Sequence, residues 1–476
     1  MKIAEYGYFA LFCLPQSGIQ NCFIKLFLLL RGSFFLYTLL MEKFNKDIQF
    51  WKFSFYGFVK NLRFFDPYLI LFFREVGISY FEIGILFGIR EIATNVLEIP
   101  SGIIADSYGR RRSMMAAFVA YIFSFLVFYF FPAFIPYIGA MLLFALGEAF
   151  RTGTHKAMIL DYLARQGIAD QKVHYYGHTR SWSQRGSALS ALLAGLIVFA
   201  HGQYQQVFLY SIIPYIIGFF LLKSYPKYLD FANDTVGAGG AEGGPQTSGE
   251  AAISDEAVGK KIKRSLRNSV QATLHDFRDL LKYRKLRRLM LNSSLYDGVF
   301  KTSKDYIQPI MRNLALGLPV LLALGEQKRV ALVIGGLYFI LYMLTATVSQ
   351  RAGKVSEWFS TPEKGLNITY LVSIITVVAV GVSMRYNASL IAVVLFIGFY
   401  VLQNLRRPMT VGYVSEKIKG TVMATGLSAE SQLKTVVVAV AAPIFGALVD
   451  TVGLGWAMCA LAVLPLAAYP YLRVQK

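Results

Sequence analysis

The sequence predicts an all-α integral membrane protein with about twelve transmembrane helices in two six-helix bundles. Of its 476 residues, 55% are hydrophobic and only 16% are charged, and the mean hydropathy is +0.48. This composition is far more apolar than that of an ordinary soluble domain. The apolar residues also fall into stretches of about 20, the length that crosses roughly 30 Å of hydrocarbon.

The apolar stretches form two sets of six, separated by a long polar insert. Spans 1 to 6 are predicted near 53–73, 81–104, 113–134, 136–160, 181–201 and 205–222. Spans 7 to 12 are predicted near 290–311, 330–350, 366–384, 388–405, 422–449 and 453–472. Two sets of this kind are typical of secondary transporters. We therefore expect four parts: an N-terminal segment at 1–52, a first bundle at 53–222, a linker at 223–289 and a second bundle at 290–476.

The formal net charge of +20 comes from short basic segments between apolar stretches. Because these segments do not form one continuous face, we expect no nucleic-acid partner. Basic residues concentrated in alternate connections are typical of loops that stay in the cytoplasm. The richer connections hold Arg110, Arg111, Arg112, Arg165, Lys172, Arg351, Lys354, Arg406, Arg407, Lys417, Lys419, Arg473 and Lys476, and the poorer ones hold Arg74, Arg312, Lys328, Arg329 and Arg385. Both termini are therefore expected on the cytoplasmic side of a bacterial cytoplasmic membrane.

The polar insert has two parts. Residues 236–257 are rich in Gly, Ala, Ser and acids, a composition typical of a disordered tether. Across 260–288, apolar residues recur every three or four positions among many Lys and Arg, which predicts a basic amphipathic helix on anionic lipid. A calmodulin-like partner would recognise the same pattern. Residues 1–40 contain an apolar stretch interrupted by Lys25 and Arg31, so we expect an interfacial segment or a start codon assigned too far upstream.

Ionisable residues at membrane depth are costly, so they are expected to face a partner or a water-filled cavity. Spans 1, 2, 4, 7 and 11 hold almost all of them, often three or four positions apart and hence on one helix face. The candidate path for substrate and protons comprises Arg63, Asp66, Arg90, Glu91, Glu148, Arg151, His155, Asp297, Lys301, Lys304, Asp305, Glu430 and Lys434. These residues could instead only neutralise one another. Their concentration in five spans favours a path, because helix contacts alone can use Ser, Thr and Gly.

Other constellations point away from catalysis and metal binding. His174 and His178 could share a helix face, but no Cys or acid nearby completes a metal site. The three cysteines have no disulfide or zinc spacing. Gly84 and Gly88, four positions apart on span 2, predict close helix packing. We therefore expect no enzyme activity and no cofactor.

The connection between spans 2 and 3 reads Gly102-Ile-Ile-Ala-Asp106-Ser-Tyr-Gly109-Arg110-Arg111-Arg112. Gly102 permits close helix approach, Asp106 can accept hydrogen bonds from a helix N-terminus, and Gly109 permits a tight turn. The string resembles the Gly-x-x-x-Asp-x-x-Gly-Arg-Arg signature of the major facilitator superfamily, and it stands after the second span as in that family. The resemblance covers about 53–473 and implies a cytoplasmic gate formed by Gly102, Asp106, Gly109, Arg110 and Arg111 together with Asp161 on span 4.

Two further segments, 147–153 on span 4 and 420–428 at the start of span 11, look like those of bacterial drug:proton antiporters. The counterpart of the arginine loop in the second half, at 349–354, is degraded, and the proline-glycine string expected on span 5 is absent. The resemblance implies a monomeric secondary transporter that works by alternating access on a small-molecule substrate.

Three functional hypotheses follow. The first is proton-coupled efflux of a drug-like or amphipathic compound, with Asp66, Glu91 and Glu148 as proton carriers. The alternative is an uptake or exchange permease for an anionic metabolite, because the basic residues of the path could leave its cavity electropositive. A third hypothesis is a membrane sensor or assembly factor that does not transport.

Overall fold

A computed structural model describes residues 46–168, 171–231, 284–319, 322–356, 359, 361–417 and 421–474. Within these residues the regular secondary structure is entirely helical, and those from Ile48 onward belong to one compact unit. The predicted tether, nearly all of the amphipathic helix and the N-terminal segment up to residue 45 lie outside the described residues. The boundaries proposed for the two bundles and the linker stay predictions.

Helices occupy all twelve predicted positions, and each keeps the number of the span that it covers. The first bundle contains Ile48–Val59 and Leu69–Glu75 (span 1), Tyr80–Tyr108 (span 2), Arg110–Phe130 (span 3), Phe134–Arg151 and Thr154–Arg165 (span 4), Lys172–His201 (span 5) and Gln206–Lys223 (span 6). The second contains Arg284–Ser303 and Ile307–Gly317 (span 7), Glu326–Ser356 (span 8), Pro362–Arg385 (span 9), Ser389–Lys417 (span 10) and Thr421–Leu472 (spans 11 and 12). The last element is two helices joined at Gly453, where φ is +84°. The predicted fold class is confirmed.

Eight helices in the described part of the chain are long and apolar enough to cross a membrane. They are spans 3 to 6, spans 8 to 10, and the 43-residue helix Glu430–Leu472 that spans 11 and 12 share. Span 1 falls short because its two helices are too short. Span 2 and the first helix of span 7 are long enough but carry charged residues along their length.

Spans 1 and 7 are predicted as continuous helices, but each is broken near its middle. Span 1 unwinds after Val59 and resumes through a single 3-10 turn at Asp66–Tyr68. Span 7 passes through a similar turn at Lys304–Tyr306. Irregular backbone is tolerated at membrane depth where it is buried in protein or lines a wet cavity. At each break, a side chain from another helix bonds the backbone of the broken span. Gln308 bonds two backbone groups of span 1, and the Tyr400 hydroxyl donates to the Lys304 carbonyl of span 7.

Span 2 packs closely against span 11, on the glycines that the sequence singles out. A Cβ on Gly84 would overlap the backbone of Ala442, and a Cβ on Gly88 would lie 3.3 Å from the Ala439 carbonyl oxygen. From the other side, Gly446 meets the backbone of Tyr80. The predicted role of the pair in helix packing agrees with these contacts.

Spans 5 and 8 form the second seam between the bundles. A Cβ on Gly195 would lie 3.1 Å from the Ala331 carbonyl oxygen, and one on Gly335 would lie 3.0 Å from that of Ala191. Small residues at such crossings let backbones approach closely, which gives van der Waals contact where lipid supplies no hydrophobic drive.

The described contacts between spans 2 and 11 do not extend along the full length of the seam. We call the end of the molecule at Gly109–Arg112 the arginine-loop end and the other end the opposite end. Contacts follow one another from Tyr80, at the opposite end, to Asn95 near the middle, where Asn95 Nδ2 donates to Thr435 Oγ1 at 3.3 Å. At Gly102, by contrast, a Cβ would meet no described atom within 4 Å. The contacts between described residues of spans 2 and 11 therefore lie between the opposite end and Asn95, and the close approach expected at Gly102 is not among them.

Two basic residues predicted in connections lie inside the protein instead. Arg406 is 1% exposed on span 10, and Arg329 is 8% exposed near the start of span 8. The Arg329 guanidinium donates to the carbonyl oxygens of Ala315, Leu316 and Leu318, and so caps the end of span 7. Hydropathy places both residues at the ends of spans. At such positions hydropathy cannot distinguish an exposed loop residue from a buried residue that bonds the end of a helix.

We expect Gly84→Ala to lower the melting temperature of the purified protein, because its new methyl group must displace the Ala442 backbone. Overpacking of this kind typically costs about 1–3 kcal/mol. The matched control is Gly398→Ala, since Gly398 lies in a helix with no described atom within 4 Å of the new Cβ. The measurement is the fraction of monodisperse protein left after heating. Equal melting temperatures for the two variants would contradict the tight seam.

Candidate functional site

The predicted path residues gather in two places near the breaks of spans 1 and 7. The first is the two-arginine cluster, defined as Arg63, Tyr121, Glu148 and Arg151. The second is an ion pair between Glu91 and Lys301. Between them they bring together residues of spans 1, 2, 3, 4 and 7.

In the two-arginine cluster, one carboxylate receives three donors. Glu148 Oε1 accepts from Arg63 Nη2 and from the Tyr121 hydroxyl, the latter at 2.7 Å. Glu148 Oε2 accepts from Arg151 Nη2, and Arg151 Nε donates to the Tyr121 oxygen at 3.2 Å. The three charged side chains keep 18–21% of their surface exposed. The cluster is therefore recessed but not sealed.

The local fold places these side chains. Arg63 lies in the unwound part of span 1, and its guanidinium is 5.5 Å from the centroid of the Phe144 ring. Glu148 and Arg151 are one helical turn apart at the end of the first helix of span 4. That helix stops because Gly153 takes a φ of +82°, a conformation open to glycine.

The break in span 4 corrects the predicted stripe of Glu148, Arg151 and His155. His155 belongs to the second helix of span 4 and is separated from the cluster by Thr152 and Gly153. Its ring stacks on Tyr56 with centroids 4.0 Å apart, and its Nε2 lies 3.3 Å from the Tyr225 hydroxyl. The sequence reasoning assumed one continuous helix, so it carried the stripe one turn too far.

Glu91 and Lys301 connect the bundles directly. Lys301 Nζ lies 2.6 Å from Glu91 Oε2, and Arg90 Nη2 lies 3.7 Å from Glu91 Oε1. Among the ion pairs between described residues, this is the one that joins the first bundle to the second. It lies near the middle of span 2, between the packed contact at Gly88 and the hydrogen bond at Asn95.

The remaining path residues of span 7 pair within their own bundle. Lys304 Nζ is 2.9 Å from Asp305 Oδ1, and Asp297 Oδ1 accepts from Gln403 Nε2 at 3.0 Å. Because the helix breaks after Ser303, the predicted stripe from Asp297 to Asp305 does not run along one helix face.

The path residues of span 11, Glu430 and Lys434, are half-buried one turn apart. The backbone carbonyl of Glu430 accepts from Ser294 Oγ of span 7 at 3.1 Å. This contact ties spans 7 and 11 together within the second bundle.

Asp66 differs from Glu91 and Glu148, the other two acids considered as proton carriers. Its carboxylate makes no hydrogen bond or ion pair with any residue that the structure describes. Its backbone carbonyl, by contrast, accepts from Gln308 Nε2 at 2.8 Å. Asp66 therefore stands as a half-buried acid next to the broken helix.

Gln308 is a site residue that the sequence reasoning missed. Fully buried on span 7, it donates to the Asp66 carbonyl and accepts from the Ile70 backbone N–H at 2.8 Å. It thus pairs two backbone groups that the break in span 1 leaves open, and it does so from the other bundle. An uncharged side chain gave no signal in a search for charges.

The arginine loop adopts the geometry that its sequence implies at two positions. Gly109 has a φ of +103°, which makes the sharp turn into span 3. Arg110 Nη1 lies 3.6 Å from Asp161 Oδ2, so the predicted partners face one another. Asp161 also lies 3.6 Å from Arg165 on its own helix.

Asp106 does not cap a helix N-terminus in this structure, contrary to expectation. Its side chain is 70% exposed, and the contact it makes with a described residue is with Arg110, at 3.5 Å. The acid that caps span 3 is Asp230, whose carboxylate accepts from the Arg111 N–H at 2.9 Å and whose carbonyl accepts from the Arg110 N–H at 2.9 Å. Asp230 follows span 6, so only the folded chain brings it to the loop.

A second missed feature is the buried guanidinium of Arg406. It donates to the Leu366 carbonyl, to Thr369 Oγ1 and to Asn292 Oδ1, and its carbon lies 4.6 Å from the centroid of the Tyr296 ring. These contacts join spans 7, 9 and 10. Arg406 therefore acts as a structural hub of the second bundle.

Comparisons with known proteins agree with this architecture. A family model described as Major Facilitator Superfamily matches residues 53–433. The uncharacterized MFS-type transporter YxaM of Bacillus subtilis (strain 168) is 31% identical over 90 residues, which cover 19% of this chain and 23% of that protein. The match thus spans under a quarter of the length of this curated relative.

Solved transporters share the fold at low identity. A variant of the nucleoside transporter NupG superposes with a TM-score of 0.68 at 11% identity, over 91% of this chain and 100% of that one. A POT family transporter in complex with 5-aminolevulinic acid gives 0.59 at 13% identity, over 89% and 95%. A D-xylose-proton symporter gives 0.57 at 12% identity, over 90% and 98%. Identities this low show the fold alone.

The family model covers most of the chain, and both the helices at the twelve predicted span positions and the signature loop agree with it. The protein is accordingly a multi-pass membrane protein. The chain belongs to the major facilitator superfamily, a family of membrane transporters.

Proposed function

We propose that the protein moves a small solute across the bacterial cytoplasmic membrane by alternating access, coupled to protons. The observation that supports this most directly is the charged interior between two broken helices, together with the described contacts that join the bundles at the opposite end. We assign the arginine-loop end to the cytoplasm, as its basic residues predict. The protein acts as a monomer with both termini on that side.

Closure of the opposite end uses polar contacts that two bundles can make and break. Asp450 at the end of span 11 accepts from the backbone N–H groups of Tyr80 and Phe81, at 3.1 and 2.8 Å, and so caps span 2 from the other bundle. Glu75 accepts from Gln327 Nε2 of the second bundle at 3.1 Å. Water can replace such contacts when this end opens, so the closed state is favoured without being locked.

Proton coupling is assigned to Asp66 among the three acids first considered. Protonation of Glu148 would disrupt contacts with three donors, and protonation of Glu91 would break the pair with Lys301. Protonation of Asp66 would disrupt no described side-chain contact. An acid at membrane depth without a fixed partner is suited to accept and release a proton.

For the direction of transport, the first hypothesis remains efflux of a drug-like or amphipathic compound. It rests on the resemblance of segments in spans 4 and 11 to those of drug:proton antiporters. A permease for an anionic metabolite is the alternative, and the excess of bases around Glu148 favours it. Transport assays in proteoliposomes with and without an imposed pH gradient separate the two, because they report substrate charge and coupling together.

The basic amphipathic helix at 260–288 is proposed to rest on anionic lipid of the inner leaflet.

We expect Asp66→Asn to abolish proton-driven accumulation while solute exchange at equal pH on both sides continues. The amide keeps the shape of the side chain but cannot bind or release a proton. Glu326→Gln is the control, since that acid is exposed at the rim, 3.9 Å from Arg312. The measurement is substrate uptake into proteoliposomes at several pH gradients. Undiminished accumulation by Asp66→Asn would remove Asp66 as the coupling acid.

We expect Lys301→Ala to reduce transport at least about ten-fold while protein yield is maintained, because Glu91 loses its partner across the bundles. Arg90, 3.7 Å from Glu91 in the same span, still neutralises part of the charge, so the variant should fold while the link between the bundles is lost. The double variant Lys301→Ala with Glu91→Gln should recover part of the activity, since it removes the orphaned charge. Lys328→Ala, at the rim near Phe199, is the control. Normal transport by Lys301→Ala would make the pair dispensable.

We expect Gln308→Leu to shift the population towards a state open at the opposite end. Leucine leaves the Ile70 N–H and Asp66 carbonyl unpaired while the end is closed, and each buried unpaired group costs about 1–3 kcal/mol. Spin labels at Ile135→Cys and Tyr386→Cys, in a background without native cysteines, report the separation of the bundles. Gln403→Leu, which loses a hydrogen bond within one bundle, is the matched control. Unchanged distance distributions in both variants would contradict this role.

A further inference from the structure

We infer that the transported solute carries a carboxylate, which binds Arg63 and Arg151 in competition with Glu148. This inference rests on the proposed function and names the substrate class for it. Glu148 then serves as an internal ligand that occupies the arginines while the site is empty.

The geometry of the two-arginine cluster matches a carboxylate. Each oxygen of Glu148 receives its own guanidinium, and the Tyr121 hydroxyl adds a donor to one of them. Guanidinium donors match planar carboxylates and bind them with charge-assisted hydrogen bonds. A carboxylate on a solute presents the same two oxygen atoms as Glu148. The donors are thus already arranged for the group that would replace it.

Charge around the cluster leaves room for an anion. Lys60 and Arg63 lie three residues apart in the unwound part of span 1, and the Lys60 ammonium lies 5.8 Å from the centroid of the Tyr56 ring. Together with Arg151, these are three bases against the two acids Glu148 and Asp66. Uncompensated positive charge at membrane depth is costly. A bound carboxylate would neutralise this excess positive charge. The excess grows by one unit when Asp66 takes up a proton.

The guanidinium of Arg63 also has a donor to spare. Its Nη2 serves Glu148, but its buried Nε donates to no partner that the structure describes. A buried donor without a partner is uncommon and costs free energy. Reorientation of the guanidinium towards a solute would use a hydrogen-bonding capacity that Glu148 alone does not satisfy.

A solute can reach the cluster because the charged side chains are not sealed. Arg63, Glu148 and Arg151 each remain about one-fifth exposed. Phe144 and Tyr121 supply ring faces and edges beside the guanidinium groups. The site therefore offers a fixed place for the carboxylate and apolar contact for the rest of a small organic acid.

The test is equilibrium binding to the purified full chain, measured as the rise in melting temperature with ligand concentration. The probes are benzoate, hexanoate, succinate and citrate, with benzamide, hexanamide and succinamide as uncharged counterparts. We expect at least one carboxylate to stabilise the protein in a saturable way while its amide does not. If no carboxylate in this panel stabilises either the unchanged chain or Glu148→Gln, the inference is overturned.

Competition with Glu148 gives the sharper readout. Glu148→Gln should bind the carboxylate about ten-fold more tightly, because it removes the internal rival and leaves both guanidinium groups free; ten-fold corresponds to roughly 1.4 kcal/mol. Glu82→Gln is the matched control, since Glu82 lies in the capping box of span 2, where Gln serves equally well. Equal or weaker binding by Glu148→Gln would overturn the inference and leave Glu148 as structural support.

Arginine variants complete the series. Arg63→Gln and Arg151→Gln should each weaken carboxylate binding at least about ten-fold, the loss expected for charge-assisted hydrogen bonds. Because a single arginine variant could misfold with Glu148 left under-paired, the double variant Arg151→Gln with Glu148→Gln keeps the local charge constant. Carboxylate affinity in that double variant equal to that of Glu148→Gln would overturn the inference.

Failure of this inference is distinguishable from failure of the proposed function, because binding in detergent requires no transport. Carboxylate binding without flux in proteoliposomes would contradict the transport mechanism and leave the site assignment standing. Proton-driven flux of a neutral or cationic solute, without carboxylate binding, would overturn the substrate class alone.

Discussion

A polar group at the depth of a bilayer has no water to satisfy it, so the protein must supply a partner or a wet cavity. The cost applies to charged side chains and to the backbone alike. In this chain both problems arise at the same level, where spans 1 and 7 unwind beside acids and bases. Most of what is distinctive in the structure follows from how these groups are paired.

Many of the partners come from the other bundle. Gln308 satisfies the broken backbone of span 1, Lys301 neutralises Glu91, and Asp450 caps span 2. Each contact holds only while the two bundles are close at the opposite end. The side chains that satisfy polar groups at the helix breaks therefore depend on the relative position of the two bundles. A change in that position would change these hydrogen bonds and ion pairs.

The glycines of span 2 explain where polar contacts between the bundles can form. Where Gly84 and Gly88 face span 11, the backbones touch, and short polar side chains reach across. Gly102, further along the same helix, faces no described atom within 4 Å. Span 2 is one helix from Tyr80 to Tyr108 and contains Pro100. The described contacts of span 2 with the second bundle are therefore concentrated in the half nearer the opposite end.

Two arginines of the second bundle are buried although their positions in the sequence suggest exposed loops. Arg406 and Arg329 look like loop residues because they flank apolar stretches. Each guanidinium nevertheless donates hydrogen bonds to backbone carbonyl oxygens inside the second bundle. The two-arginine cluster differs from both, because its carboxylate partner is a side chain that can exchange for a solute. Backbone carbonyl partners cannot exchange in that way without loss of the helix end.

The sequence by itself determined the fold class, the number and order of the spans, the arginine loop and the set of charged residues at membrane depth. Each of these follows from hydropathy or from spacing along one helix, which are local properties. Tertiary structure alone decided which charges meet, since Arg63 and Glu148 are joined only after spans 1 and 4 pack together. It also decided that Asp230 rather than Asp106 caps span 3, that Gln308 bridges the bundles, and that spans 1, 4 and 7 are interrupted. A helix break depends on partners elsewhere in the chain that satisfy its backbone, and no local pattern contains them.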